Sequence, residues 1–356
     1  MTAAAALLDD RGTYERLDPR QIGRRIAGLP DQARRAWTLG RAWTPPSSFT
    51  RPSRVVVLGL GGSAIGADLV AAAVAPRCDV PIEVVRGYAP PILDERALVV
   101  ACSFSGRTGE VLEAFAAALD RPGMHLALTT GGPLAELADE RGAAVLRYAD
   151  EGPPRTALGF GVFPLLALLE RLEAVPAAAL DAGTAIAAIE DGAAAWSADV
   201  PYASNPAKQL AVALHGRFAF VLGADFLAVA ARRWANQISE NAKQWSAHTA
   251  LPEANHNLIA GLAIPGGARE LLHVVLLEGA AVHPRVWQQV ELTASLLDEA
   301  GIPHSTAQAG GEARLDALLR ACYLGDWVSY YLAMLNGVDP HPTPELDAVK
   351  RALAGG

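Results

Sequence analysis

Two short stretches carry residue types suited to holding an anion. Gly59-Leu60-Gly61-Gly62-Ser63-Ala64-Ile65-Gly66 follows the apolar run Val55-Val56-Val57-Leu58 and precedes an alanine-rich stretch, the pattern of a strand turning into a helix. At such a turn unpaired N–H groups and the positive end of the helix dipole face a ligand, and glycine lets the backbone approach closely. Alone, this loop leaves three readings open: a phosphate site, a dinucleotide site or a structural turn. Gly59, Gly61 and Ala64 satisfy the looser G-x-G-x-x-G/A dinucleotide pattern, but the run Ile82-Glu83-Val84-Val85 ends in Arg86 where a ribose-binding acid would stand. A nucleophile elbow, G-x-S-x-G, fails at Ile65. The next apolar run, Leu98-Val99-Val100-Ala101-Cys102, leads into Ser103-Phe104-Ser105-Gly106-Arg107-Thr108, which puts three hydroxyls on one turn ahead of a helix starting near Gly109. N-capping and ordinary turn chemistry account for one of them. A second loop of this kind favours phosphate, held by neutral hydrogen bonds and helix amides. Cys102 is expected to be a buried small apolar residue.

The elements that must position these loops follow from the apolar pattern. Continuous apolar runs at 55–58, 82–85, 98–101, 126–129 and 143–146 alternate with helical stretches, as in a parallel sheet covered on both faces. A second set has strands expected at 218–222, 271–277 and 304–307, with long helices around 227–245, 284–300 and 314–335. The predicted fold is α/β: two doubly wound parallel-sheet lobes, an N-terminal helical lead-in and a C-terminal helix. The expected division is a helical segment over 1–50, a first lobe with the anion loops over 51–155, connecting helices over 156–200, and a second lobe with the terminal helix over 201–356.

Composition narrows the class. The 356 residues are 51% hydrophobic and 19% charged, which excludes a disordered, collagenous or coiled-coil chain. Thirty Lys+Arg against 38 Asp+Glu give a formal charge of −8, the wrong sign for a nucleic-acid or anionic-membrane protein. No apolar window is long enough for a membrane span, and the short apolar start lacks the flanks of a secretory leader. The 3 cysteines, Cys78, Cys102 and Cys322, form no C-x-x-C pair, which fits a reducing cytoplasm. The 8 histidines show neither H-x-H nor H-E-x-x-H spacing, so no metal is expected; nor is a cofactor.

Further motifs appear in a fixed order: Gly131-Gly132-Pro133-Leu134-Ala135-Glu136, Pro154-Arg155-Thr156-Ala157-Leu158-Gly159, Glu240-Asn241-Ala242-Lys243, Pro252-Glu253-Ala254-Asn255-His256-Asn257, and Pro342-Thr343-Pro344 ahead of Lys350. With Gly61-Gly62-Ser63 and residues 103–108, they make the chain from about 54 to 353 resemble the sugar isomerase (SIS) domain proteins, and among them the bifunctional phosphoglucose/phosphomannose isomerases. The resemblance implies two SIS lobes, a hexose 6-phosphate substrate, metal-independent aldose–ketose isomerisation through an enediolate, and a homodimer in which His256 is donated across the interface. The alternative within the same fold is a non-catalytic phosphosugar-binding regulator.

The resemblance also assigns roles. Gly62, Ser63, Ser103, Ser105 and Thr108 correspond to the phosphate site. Glu240 corresponds to the carboxylate that moves the proton between C1 and C2. Periodicity by itself groups Glu240 with Arg233, Gln237 and Gln244 on a solvated helix face, whereas the resemblance turns that face into a cleft between the lobes. His256 and Lys350 become the ring-opening partners; an imidazole suits such proton transfer at neutral pH. Thr343 becomes the small residue that leaves room for both C2 epimers. Arg155, after the stiff Gly152-Pro153-Pro154, reads from spacing as a surface arginine; as a fixed, always ionised donor it would stabilise an enediolate. The chain departs from the usual family pattern at Arg107 (commonly Asn), Gly109 (commonly acidic) and Phe160 (commonly Tyr).

Overall fold

The computed structural model describes residues 2–176, 181–308 and 310–354. The chain divides into two compact units, one of Gly28–Asp191 and Gly310–Arg320, the other of Met1–Ala27, Gly192–Ala309 and Ala321–Gly356.

The first unit is built on strands β1 (Arg54–Gly59), β2 (Ile82–Val85), β3 (Ala97–Ser103), β4 (Met124–Thr129) and β5 (Ala144–Arg147). They form a five-stranded sheet in the order β2-β1-β3-β4-β5, every pair parallel. All of β3 and all of β1 after Arg54 are buried, so side chains pointing to either face are covered. Val56, Leu58, Val99, Ala101 and Ala127 pack with Val111, Phe115, Leu134 and Ala138 of two covering helices, Gly109–Leu119 and Gly132–Glu140.

Close helix packing in this unit depends on glycine. Helix Leu29–Ala42 lies against helix Leu158–Arg171, where a Cβ on Gly40 would stand 2.8 Å from Pro164 Cα. Helix Gly61–Val74 meets the same partner at Gly66, where a Cβ would stand 2.5 Å from the Gly161 carbonyl carbon and oxygen. Gln32, on helix Leu29–Ala42, donates to the Thr156 carbonyl at 2.9 Å and accepts from the Gly159 N–H at 2.8 Å. That pair fixes the turn carrying Arg155.

The second unit has a four-stranded sheet in the order β7-β6-β8-β9, with β6 at Phe218–Ala224, β7 at Ser246–Leu251, β8 at Leu272–Glu278 and β9 at His304–Gln308. It is also entirely parallel. The fold is therefore α/β with two parallel sheets, as the apolar pattern predicts. Two details differ from expectation. The helix expected over 227–245 ends at Ala242, where Lys243 takes φ 55°, and strand β7, which the apolar pattern does not predict, follows it. The β7 sequence, Ser-Ala-His-Thr-Ala-Leu, is only partly buried because β7 is an edge strand, so it lacks the apolar run that reveals a central one.

Residues 1–27 are anchored in this second unit. The Lys208 side chain, 1% exposed, donates to Asp9 Oδ1 at 2.9 Å and to the Ala198 carbonyl at 3.0 Å. Asp18 accepts from the N–H groups of Ile22 and Gly23 at 2.7 and 2.8 Å and from the Tyr330 hydroxyl at 3.0 Å.

The Gly66 contact is backbone against backbone, so it cannot relax by a rotamer change. Gly66→Ala is expected to lower unfolding stability by about 1–3 kcal/mol, the usual cost of overpacking; equilibrium urea denaturation of both proteins measures it, and an unchanged midpoint would refute the contact.

Candidate active site

Strand order 2-1-3-4-5 reverses direction between β1 and β3, and ligands of open α/β sheets bind beside the carboxyl ends of the strands at such a switch point. The two sequence-predicted loops meet there. The Phe104 N–H donates to Ser63 Oγ at 3.1 Å, which leaves the Ser63 hydroxyl hydrogen available to a ligand. Ser103 Oγ and Thr108 Oγ1 share a hydrogen bond of 2.9 Å, so one of the two hydroxyl hydrogens is still free to point outward. Thr108 occupies the N-cap position of helix Gly109–Leu119 but makes no side-chain capping bond, and helix Gly61–Val74 also starts without one. First-turn amides of both helices are thus not taken by a capping side chain.

The loop after β4 completes the cradle. Thr130 donates through its N–H and its hydroxyl to the Phe104 carbonyl, at 3.1 and 2.7 Å, and the Leu134 N–H donates to the Gly106 carbonyl at 3.0 Å. Gly106 takes φ 65°, and a Cβ there would lie 1.9 Å from the Gly131 carbonyl oxygen, so no other residue fits. Ser105 and Arg107 are exposed, and Ser105 Oγ accepts from the Arg107 N–H at 3.3 Å. Of the predicted hydroxyls, Ser103 is buried, Ser63 and Thr108 are half-buried, and Ser105 sits on the outer rim.

Arg155 belongs to the same unit. Its segment, the short helical turn Pro154–Thr156, lies against the first glycine loop: a Cβ on Gly62 would stand 3.1 Å from Arg155 N and from the Pro154 carbonyl. Arg155 is buried, 5% exposed, which corrects its reading as a surface linker arginine; the Gln32 brace pulls the turn inward. Beside it, Gly62, Ser63, Ser103, Phe104, Tyr148 and Phe160 line a narrow crevice. Phe160 stacks on Tyr148 with centroids 4.7 Å apart, and Phe104 meets Tyr148 edge-on at 6.1 Å. Burial pushes the Tyr148 hydroxyl pKa up, keeping it a neutral group. No motif marks Tyr148; only its place just after β5 could have drawn attention to it. Cys102 is buried and its thiol is pushed up to about 12 by desolvation, so it is no nucleophile at neutral pH.

The remaining predicted residues lie in the second unit. Glu240 is half-buried near the end of helix Ala228–Ala242. Its helix face is not solvated, contrary to the periodicity: Arg233 and Gln237 are buried at 3% and 2% exposure, because helix Arg314–Leu335 meets them with Asp326. Lys243 Nζ donates to the Glu240 carbonyl and, at 3.3 Å, to the Pro340 carbonyl, which ties the helix end to the turn before Thr343. Thr343 is half-buried and its carbonyl accepts from the Asp347 N–H at 3.1 Å. Lys350 is exposed on helix Pro344–Ala354, as is its apolar row Leu346, Val349 and Leu353. His256 is exposed at the end of a short helical turn, Glu253–His256. Its neighbour Asn255 is held by Thr293 Oγ1 at 2.9 Å and Gln289 Oε1 at 3.2 Å. Among the described residues no cluster of His, Cys, Asp and Glu is arranged to hold a metal, and no helix is long and apolar enough to cross a membrane.

Two parallel doubly wound sheets, the first with a cradle of hydroxyls and helix amides at its switch point, agree with the SIS resemblance of the sequence. The bacterial phospho-glucose isomerase C-terminal SIS domain family matches residues 203–353. A bifunctional phosphoglucose/phosphomannose isomerase from Caldicellulosiruptor bescii is 32% identical over 92% of this chain and 98% of its own. Another from Aquifex aeolicus is 30% identical over 84% of this chain and 90% of its own. A solved structure of a hypothetical protein from Thermus thermophilus superposes with a TM-score of 0.74 at 18% identity, covering 99% of this chain and 94% of that one. The chain belongs to the bifunctional phosphoglucose/phosphomannose isomerase family.

The cradle geometry makes separable demands on its hydroxyls. Thr108→Val removes the hydroxyl that pairs with Ser103, so the single outward hydrogen of the pair is no longer held in place by a partner, and inorganic phosphate is expected to bind about tenfold more weakly, the worth of one hydrogen bond to a charged group. Arg107→Ala, on the exposed rim, is expected to change the affinity less than about twofold. Isothermal calorimetry at fixed ionic strength measures both, and the reverse ranking would place the anion elsewhere.

Proposed function

We propose that this protein is a metal-independent aldose–ketose isomerase that interconverts fructose 6-phosphate with glucose 6-phosphate and mannose 6-phosphate. The single observation that carries this reading is the family relationship over nearly the whole chain, 98% of the Caldicellulosiruptor relative. The interlocked Ser63, Ser103 and Thr108 loops agree with it, since neutral hydroxyls and helix amides at one switch point suit one phosphate group rather than a polyanion.

In this reading the phosphate anchors the sugar at the first unit's switch point. The Glu240 carboxylate takes the C2 proton of the open-chain aldose and returns it to C1, passing through an enediolate. Arg155, rigidly seated and always charged, stabilises the negative charge that develops on the enediolate oxygens. His256 and Lys350 exchange protons with the ring oxygen and the anomeric hydroxyl during ring opening. Thr343, small and next to two prolines, tolerates either configuration at C2. Gly62 and Ser105 complete the phosphate contacts through the backbone and the outer hydroxyl.

His256 acts on a partner subunit in a homodimer. Support comes from its exposure on a turn followed by the exposed apolar side chains Leu258, at 40%, and Ile264, at 83%, which association would cover. The reaction belongs to cytoplasmic hexose phosphate metabolism, in the directions of both glycolysis and gluconeogenesis.

Purified protein is expected to form fructose 6-phosphate from either aldose in the presence of a chelator, with solvent deuterium entering at C1 or C2. Glu240→Gln should abolish this exchange while leaving sugar phosphate binding intact; full exchange by that variant would defeat the role of Glu240. Binding without any exchange in the wild type would instead favour a phosphosugar sensor.

Crossing of His256 has its own test. Mixed and reassociated Glu240→Gln and His256→Ala subunits, each inactive alone, are expected to recover about a quarter of wild-type activity, because half the dimers are mixed and each has one intact site. No recovery would place His256 in its own subunit's chemistry.

A further inference from the structure

Tyr148, one residue past the end of β5, lines the narrow crevice beside the glycine and serine loops together with Ser63, Ser103, Phe104 and Phe160. Its ring is held from two sides. Phe160 stacks on it at 4.7 Å with the planes only 11° apart, and Phe104 meets it at 65° from 6.1 Å. The Arg35 guanidinium lies over the Phe160 ring, 5.9 Å from its centroid, and steadies that side of the stack. The Tyr148 N–H donates to the Thr129 carbonyl at 3.2 Å, which ties its backbone to the end of β4. A rigid phenol therefore stands at the crevice.

A hydroxyl withdrawn from water ordinarily finds a hydrogen-bond partner. Tyrosines elsewhere in the chain obey this rule. The Tyr14 hydroxyl donates to the Leu8 carbonyl at 2.5 Å, that of Tyr330 to Asp18 at 3.0 Å, and that of Tyr331 to the Trp196 carbonyl at 2.5 Å. Tyr148 is desolvated too, yet its hydroxyl bonds to no described group. Desolvation pushes its pKa up, and the proximity of Cys102, next to Ser103, adds to the shift. The proton thus stays on the oxygen at neutral pH, and Tyr148 faces the crevice as a neutral donor.

Its neighbours decide what such a donor is for. Ser63 accepts from the Phe104 N–H and keeps its own hydrogen, and the Ser103–Thr108 pair keeps one more. Among the described residues no carboxylate lines the crevice. Several unspent donors without an acidic side chain suit an oxyanion rather than a cation or an amine.

We propose that Tyr148 is a further phosphate-binding residue, whose hydroxyl donates to the ligand oxygen that enters the crevice beside Ser63 and Ser103; this rests on the reading of the first switch point as the phosphate site. Tyr148 then sets affinity for the phosphate group and takes no part in moving protons on the sugar carbons.

Tyr148→Phe tests this directly, because it keeps the ring and its stack and removes only the oxygen. Calorimetry with inorganic phosphate, and kcat and KM for fructose 6-phosphate, are compared for wild type, Tyr148→Phe and Ser63→Ala. Tyr148→Phe is expected to bind phosphate about tenfold more weakly, the worth of one hydrogen bond to a charged group. Its KM should rise about as much with kcat within about twofold, the pattern of a contact made equally in ground and transition states. Weak binding in Ser63→Ala with wild-type affinity in Tyr148→Phe overturns the role of Tyr148 alone. Wild-type affinity in both variants overturns the reading of the phosphate site and the proposal with it. A fall in kcat at unchanged phosphate affinity moves Tyr148 to the reacting carbons and also overturns the proposal.

Discussion

Backbone contact at a few glycines is what lets the loops of the first unit close together at its switch point. Gly62 admits the Pro154–Arg155 backbone, Gly66 admits Gly161, and Gly106 admits the carbonyl of Gly131. Each contact brings one loop or helix start closer to the switch point than any side chain would permit. Once they are close, the loops bond to one another through Ser63 to Phe104 and Thr130 to Phe104, so they form one surface rather than three separate turns. The helix starts then supply positive potential at a fixed place. In a chain of net charge −8 such local potential, rather than a basic surface, is what suits an anion.

The two glycine and hydroxyl loops are legible in the sequence because their pattern is local: glycines and hydroxyls at fixed offsets after an apolar run. The same holds for the first sheet, whose central strands are buried on both faces and so appear as unbroken apolar runs. Where burial depends on a distant partner, the local signal misleads. Arg233 and Gln237 look solvated because their own helix says nothing of Asp326, 93 and 89 residues away. Arg155 looks like a linker residue because the brace on its turn comes from Gln32, 124 residues from Thr156. Strand β7 is hidden for the converse reason, since an edge position leaves it too polar to announce itself. Tyr148 carries no motif, and its place in the crevice follows from stacking on Phe160.

The two sheets share a switch-point topology but differ in the residues at their strand ends. Order β7-β6-β8-β9 has its own switch point between β6 and β8, the counterpart of the one between β1 and β3. There the chain leaves β6 through Ala224, Asp225 and Phe226, with Asp225 at φ 53°, and β8 ends in Glu278, whose carboxylate accepts from Gln308 at 3.1 Å. Carboxylates at that edge repel an anion, and neither strand exit offers the glycine and serine pattern of the first sheet. Glu240 lies at the other edge: helix Ala228–Ala242 starts beyond the carboxyl end of β6, runs back along the sheet and delivers Glu240 near the start of β7. The two glycine and serine loops thus lie at the carboxyl edge of the first sheet, whereas Glu240 lies at the amino edge of the second. Helix Ala228–Ala242 ends at that edge with its carbonyls; Lys243 answers the Glu240 carbonyl, and the side-chain lattice from Arg233 to Ser329 ties the helix to its neighbour.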